Sequence, residues 1–392
     1  MSLIGQSVTV MGAGVAGLAV ARALALRGAQ VTVLEQADAV REVGAGLQIS
    51  PNGAAVLRAL GLGGALEAAS TRAMAVELRD GPSGDLVTRL DVSAANGGYH
   101  FVHRADLIAL LLDGARDAGV ELRLLQKTTS VDLTGARPSW RNAQGGTGQT
   151  GLLIGADGLQ SKVRVALTGK VAPFFTHQVA WRALIPENPG VPNVAEVHMA
   201  PGQHLVSYPL RGGTLRNIVA VEERRSWVEE GWTIRDDTMD MKLAFAGFSP
   251  RVRGWLEQVQ DVWLWGLFRH PVARDWFRVQ DQGAAVILGD AAHPTLPFLA
   301  QGACMALEDA WVLAEALASH DSVAAGLAAY QAARAPRCTR IVAAANTNAR
   351  VYHLSGVARG VAHLGLRLGS VVAPGAALKR FDWLYKHDVT AG

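Results

Sequence analysis

Three glycines, Gly12, Gly14 and Gly17, lie between a short β-branched run, Ser7 to Met11, and an Ala/Leu-rich stretch, Leu18 to Leu26. A second apolar run, Val31 to Leu34, ends in Glu35. Strand, tight turn, helix and second strand make a βαβ unit that opens a parallel sheet. The first glycine permits the turn, the second lets a pyrophosphate approach the backbone, and the third lets helix and strand pack closely. The helix start offers free N–H groups and the positive end of its dipole to phosphates. Glu35 stands where an acid binds ribose hydroxyls. Spacing alone is a weak signal, because Gly146, Gly148 and Gly151 repeat it ahead of a strand. That second copy reads as a hairpin turn. One dinucleotide site is expected, and the motif leaves nicotinamide enzymes and flavoenzymes both open.

Composition narrows the class. Of 392 residues, 49% are hydrophobic and 18% charged, against roughly 25% charged in ordinary soluble domains. Such a chain buries a sizeable core and is not disordered. A net charge of +3 and a pI of about 9.0 arise without a basic run, so no nucleic-acid partner is expected. Cys304 and Cys338 form no metal or redox spacing and exclude a disulfide scaffold, which suits a reducing cytoplasm. No signal peptide is read at the N-terminus, and no apolar run of about twenty residues suggests a membrane span.

The expected fold class is α/β: a Rossmann-like nucleotide-binding domain with an inserted antiparallel β-sheet domain and C-terminal helices. Asp106 to Ala118 reads as a helix, Glu121 to Leu125 as a strand, and Leu152 to Ile154 as a buried strand leading into Gly155-Ala156-Asp157-Gly158. From His177 to about Leu267 the pattern alternates, as in Val179 to Ile185, His204 to Leu210 and Leu215 to Val221, and predicts an antiparallel sheet with one face covered. Ala284 to Leu288 returns to the buried parallel type, and Gly302 to Ala318 reads as a long helix. Ala324 to Val372 is Ala-rich and helical, with breaks expected at Pro336 and Pro374.

Further segments carry a resemblance. Gly155-Ala156-Asp157-Gly158 is followed by Ser161 and Arg164. Gly289-Asp290-Ala291-Ala292-His293-Pro294 is followed by Pro297, Gln301-Gly302-Ala303 and Glu308-Asp309-Ala310. With the glycine turn, His103-Arg104-Ala105-Asp106-Leu107 and the closing Phe381-Asp382-Trp383-Leu384-Tyr385, the chain resembles the single-component FAD-dependent aromatic hydroxylases. Within them it is similar to the salicylate, 3-hydroxybenzoate and 6-hydroxynicotinate hydroxylases. The resemblance implies non-covalent FAD, with NADH or NADPH as a transient donor. It gives Gly12, Gly14, Ala16, Gly17 and Glu35 to the ADP half, Arg104 to the phosphates, and Gly289 and Asp290 to the hydroxyls near the flavin. Asp157 and Arg164 serve FAD and the passing nicotinamide. Gly46, in the loop Gly44 to Gln48 with Pro51-Asn52, lies along the isoalloxazine, as do Pro297, Gly302 and Ala303. Helix capping is the plain alternative for Asp157 and Asp290. The FAD-binding parts are then 1–73, 98–173 and 267–330, the substrate domain is 74–97 with 174–266, and 331–392 is a C-terminal helical region.

The implied reaction hydroxylates an aromatic ring through a flavin C4a-hydroperoxide made from O2, and needs a base or hydrogen-bonded tyrosine to assist loss of a phenolic proton. His204 and Tyr208 share one face of a strand and stand about 13 Å apart at ~3.3 Å per residue, so a substituted ring fits between them. The alternative is a His satisfied within the sheet and a Tyr packed in the core. His293, beside the flavin motif, is a third catalytic candidate or a structural turn residue. Trp181 and Arg182 fall on opposite strand faces, and an Arg on the pocket face suits a substrate carboxylate. Gln48 and Phe298 replace histidines of the 6-hydroxynicotinate hydroxylases, which favours a carbocyclic hydroxybenzoate- or salicylate-type substrate over an N-heteroaromatic acid. The rival readings are an NAD-dependent dehydrogenase, a flavin-binding sensor and an alkene epoxidase. The partners expected are a small aromatic molecule and O2, with no nucleic acid or membrane, in a monomer or homodimer.

Overall fold

The computed structural model describes residues 3–40, 45–95, 97–226, 234–372 and 375–391. Gly44 and Pro374 lie outside these residues. The β-branched run forms the strand Ser7–Met11, the glycine turn opens the helix Val15–Ala25, and the next strand is Gln30–Leu34. These strands pair in parallel, Val8 opposite Val31, and Val8 also meets Leu152 of the strand Leu152–Gly155. That strand pairs in parallel with Gly283–Ile287. The six-stranded sheet runs Phe277–Gln280, Gly283–Ile287, Leu152–Gly155, Ser7–Met11, Gln30–Leu34, Glu121–Arg123, and Phe277–Gln280 is its antiparallel member. Segments far apart in sequence thus lie side by side, and their carboxyl ends converge on one rim, where α/β sheets bind ligands. Val10, Val33, Ile154 and Val286 are fully buried against Leu24 of the first helix and Leu307 and Leu313 of the helix Gly302–Ser319.

An eight-stranded sheet forms the second layer: Ile234–Asp236, Val262–Arg269, Phe174–Pro186, Leu215–Glu223, Gln203–Leu210, Val194–Ala200, Ala75–Asp80, Leu86–Asp91. It is antiparallel except between Val194–Ala200 and Ala75–Asp80. One face buries Val179, Trp181, Leu205, Ile218 and Ala220 under Met241, Phe245, Val252 and Trp255 of two short helices. The opposite face carries Ala180, Arg182, His204, Val206, Tyr208, Asn217 and Val221, and is the one that meets Phe101, Leu296 and Phe298. A three-stranded sheet, Gly46–Ile49, His100–His103 and Ser70–Arg72, bridges the two layers.

The weak glycine repeat is the expected hairpin. Ser139–Asn142 pairs antiparallel with Thr147–Gln149, and Gly148 lies under the Trp140 ring.

One expectation is overturned. The helix Val323–Tyr352 runs through Pro336 and ends at His353, before a further helix, Gly356–Val372. An interior proline costs a helix roughly 3 kcal/mol. Here Arg334 and Arg337, on either side of it, are held by buried carboxylates of the neighbouring helix. Tyr330, Cys338 and Ile341 pack the same face into the core. No helix among the described residues is long and apolar enough to cross a membrane.

Candidate active site

The glycine turn has the geometry of a phosphate cradle. Gly12 sits at φ +99, a left-handed conformation, and a Cβ there would come 2.5 Å from the Ala156 carbonyl oxygen. A Cβ on Gly17 would collide with the Gly12 carbonyl oxygen, whereas one on Gly14 would meet nothing within 4 Å among the described residues. The closed sides therefore fix helix against strand, and the open side is where a ligand approaches. Gly14 caps the helix without a side-chain hydrogen bond, and the first turn carries no acid, so its N–H groups face outward for an anion. Glu35 lies beside this opening. Its carboxylate accepts from the backbone N–H of Ala13 at 2.8 Å and of Ala37 at 2.9 Å. Ala16 packs beneath Gly289, where an added Cβ would come 2.9 Å from the Ala16 methyl.

Arg104 stands near enough to Asp290 for its charge to act on that carboxyl. Arg104 begins the helix Arg104–Asp117 directly after the strand that ends at His103, and its N–H donates to Ala45 at 2.8 Å. Asp290 is exposed, but the protein atoms crowded around its carboxyl desolvate it and push it above the ordinary value, against the pull of His293 and Arg104. Asp290 lies within the short turn Gly289–Ala291 and accepts no capping bond, so the capping alternative does not describe it. Asp157 differs. One of its oxygens takes Ser161 Oγ at 2.5 Å and the other the Lys162 N–H at 2.7 Å, which caps the following helix. Arg164 braces the Asp290 turn from below, donating to the carbonyls of Ala291 at 3.2 Å and Pro271 at 2.6 Å. Pro297 opens the turn Pro297–Leu299, Ala300 follows at φ +52, and Gly302 and Ala303 start the long helix.

Gly46 lies against the large sheet. A Cβ there would come 2.6 Å from Tyr208 Cε2, and the Gly46 N–H donates to Asn217 Oδ1 at 2.8 Å. Asn217 Nδ2 is buried and has no hydrogen-bond partner among the described residues. Tyr208 packs on Phe101, ring centres 5.0 Å apart. Burial pushes its hydroxyl up while Arg182 pulls it down. Arg182 is on this face, with its guanidinium 4.0 Å above the Trp265 ring, and Trp181 faces the other way, with its indole N–H donated to Asp236 at 2.6 Å. At the far end of the strand, the His204 ring lies 5.5 Å from Phe298 and 5.2 Å from Tyr352. Its Nδ1 is 2.7 Å from His353 Nε2. Burial first, and His353 second, hold His204 well below the ordinary histidine range, so it is neutral.

His293 lies in different surroundings. Its Nε2 meets Asp309 Oδ2 at 2.5 Å, with both side chains wholly buried. Asp309 also takes Arg334 Nε at 2.7 Å and the Gly289 N–H at 2.9 Å. Glu308 holds Arg337 Nε at 2.7 Å and Asn52 Nδ2 at 2.6 Å. Gln301 joins through Asn52 and Ser50. His293, Asp309 and Cys338 cluster like metal ligands, within 4.8 Å. The Arg334 guanidinium already supplies the cation there, 3.5 Å from Cys338 Sγ.

Sequence reasoning had passed over His353, Glu223, Asn217, Arg334 and Arg337. Asn217 was within reach, as a polar residue on the inward face of an alternating strand. Arg334 and Arg337 sit three apart on a helix with apolar neighbours, a second readable sign. His353 offered none, because its place depends on a helix end returning over a sheet.

An open glycine cradle, a helix start without a side-chain cap, Glu35 beside it, and Arg104 near Asp290 fit the charge and hydroxyls of a flavin dinucleotide. The fold and site define an FAD-binding oxidoreductase. The chain belongs to the FAD binding domain family, whose match covers residues 6–345. It is 33% identical over 392 residues to 3-hydroxybenzoate 6-hydroxylase of Klebsiella oxytoca, covering 96% of this chain and 95% of that one. It is 34% identical to 3-amino-4-hydroxybenzoate 2-monooxygenase PtmB3 of Streptomyces platensis, over 88% of each. Klebsiella pneumoniae HpxO, solved with FAD and uric acid, shares the fold with a TM-score of 0.81 at 23% identity over 94% of each chain. The resemblance to the FAD-dependent aromatic hydroxylases thus holds along the chain, and the enzyme is an FAD-dependent monooxygenase.

Proposed function

We propose that this enzyme hydroxylates a monocyclic phenolic acid of the hydroxybenzoate type, with NADH or NADPH and O2 as co-substrates, and that His204 is the base that draws off the phenolic proton. The observation that carries this reading is the neutral, buried His204 at one end of a face whose other end holds Tyr208 and Asn217. Bound FAD would supply the hydride acceptor for the nicotinamide and the means of transferring one oxygen atom of O2 to the ring.

The residues divide the remaining work. Gly12, Gly14, Ala16, Gly17 and Glu35 hold the ADP half, Arg104 the phosphates and Asp290 the ribityl hydroxyls. Gly46, Pro297, Gly302 and Ala303 flank the ring system, and the start of the long helix favours negative charge on reduced flavin. Asp157, Arg164 and Gly289 shape the turns beneath. His293 serves the site through the Asp290 turn that it anchors. Arg182, fixed flat on Trp265, pairs with the substrate carboxylate. Phe298 and Leu299, both buried, make the pocket wall apolar and shield the reacting oxygen from water. Gln48 spends its side-chain oxygen on Tyr99 Oη at 2.7 Å. The wall therefore suits a carbocycle better than a heterocycle that needs polar partners. We assign FAD to 1–73, 98–173 and 267–330, substrate to 74–97 and 174–266, and the closing helices to 331–392.

A panel of hydroxybenzoates, assayed for stimulated NADH oxidation and for hydroxylated product, tests the function. One of them is expected to couple the two, and Arg182→Ala is expected to weaken its binding. Uncoupled oxidation with every member, or unchanged affinity in the variant, counts against the respective assignment.

A further inference from the structure

We propose that His204, His353 and Glu223 form a proton relay that carries the substrate's phenolic proton from the pocket to bulk water. The proposal rests on the pocket reading above and assigns two further residues to it.

The tautomers follow from the contacts. Glu223 Oε1 lies 2.9 Å from His353 Nδ1, and His353 Nε2 lies 2.7 Å from His204 Nδ1. An ionised carboxylate only accepts, so His353 Nδ1 carries the proton. A neutral imidazole has one N–H, so His353 Nε2 accepts and His204 Nδ1 must donate. His204 Nε2 is left as a lone pair, with no hydrogen bond among the described residues. The Gln178 amide, 3.4 Å from His353 Nδ1, is the longer contact, and the carboxylate sets the orientation. Glu223 reaches water, with its side chain 55% exposed against 3% for His353.

The transfer balances. The substrate O–H bond breaks as His204 Nε2–H forms, the Nδ1 proton of His204 passes to His353 Nε2, and the Nδ1 proton of His353 passes to Glu223, which releases it to water. No electrons move, and neither ring is left charged. That matters because an imidazolium beside Phe298 and Tyr352 would be buried away from water. The reverse run protonates the product oxygen and restores the starting tautomers. His353 and Glu223 act through His204 and are positioning residues.

Two measurements on the FAD-loaded full chain test this. In 15N-histidine spectra at neutral pH, both His204 and His353 are expected as Nδ1–H tautomers. When 3-hydroxybenzoate is mixed with enzyme in weak buffer containing a pH indicator, proton release is expected to slow about tenfold or more in His353→Gln and in Glu223→Gln. Ligand affinity should stay within about twofold, and added imidazole should restore release in His353→Gly, which a purely structural role would not allow. Release at the wild-type rate in both variants, or an Nε2–H tautomer on His204, overturns the relay. Failure of every aromatic acid to stimulate NADH oxidation, with Nδ1–H tautomers present, overturns instead the substrate reading on which it stands.

Discussion

Two buried histidines in this enzyme, His293 and His204, have opposite charge states for reasons visible in their neighbours. Burial alone disfavours imidazolium in both. At His293 a wholly buried carboxylate, Asp309, lies at 2.5 Å, and its attraction holds His293 well above the ordinary range. At His204 the neighbour is another imidazole, and the Glu223 carboxylate beyond it is one ring further away and half in water. His204 therefore stays neutral. The distance and burial of one carboxylate separate a structural cation from a base.

The strongest way to break this comparison is to remove the ionic cage. Arg334→Met leaves Asp309 and Glu308 buried with one cation fewer, and breaking such a pair costs roughly 3–5 kcal/mol. A loss of stability of that order, with a corresponding fall in thermal midpoint, is expected, read by calorimetry. A loss below about 1 kcal/mol would show the cage to be dispensable. His204→Gln is the matching change in the pocket. Hydroxylation should drop roughly 10²- to 10⁴-fold, while FAD content and thermal midpoint hold. Unchanged turnover removes His204 from the chemistry.

The pH dependence sharpens the same contrast. His293 is raised, so its contribution to stability is complete below about pH 6.5 and fades as pH climbs through its raised folded value. Asp309 is depressed, and its share is present above about pH 4 and lost as pH falls through its folded value. His204 is lowered, so its share is complete above about pH 6.5 and is lost on acidification. The stability gap between wild type and His293→Gln should narrow toward alkaline pH. The gap for His204→Gln should change toward acid pH instead. Parallel curves for the two variants would contradict the assigned charge states.

What could be read from the chain tracks how local each feature is. The glycine turn, its strand and its helix are specified within thirty residues by steric need and period, and each stands as expected. The discontinuous sheet was legible because buried parallel strands announce themselves wherever they occur. The pocket was half legible. His204 and Tyr208 share a face by strand alternation, but the partner of His204 arrives from residue 353, and no local pattern encodes that meeting. Pro336 misled for the converse reason. A local rule predicted a break, and buried ion pairs on either side of the proline outweighed it. Asp157 and Asp290 look alike in sequence, each next to a glycine and an alanine, and only the placement of the next helix makes one of them a cap.

The smallest expected effect lies in the segment that joins the two histidine sites, between His293 and the start of the long helix. Ala300 holds φ +52 there, a left-handed conformation that costs a residue with a Cβ roughly 1–2 kcal/mol. The turn needs that conformation, because it aims Phe298 at His204 and seats Gln301 in the polar network. Ala300→Gly relieves the strain and pays back part of the gain as chain entropy, roughly 0.5–1 kcal/mol. A net stabilisation on the order of 0.5 kcal/mol is expected in denaturant melts. Both histidines should keep their charge states, since the groups that set them, Asp309 and His353, lie outside this turn. A destabilised variant would mean that the methyl packs more than it strains, and a shifted pH profile would mean that the two sites are coupled through this turn, in which case His293 and His204 could not be compared as independent cases.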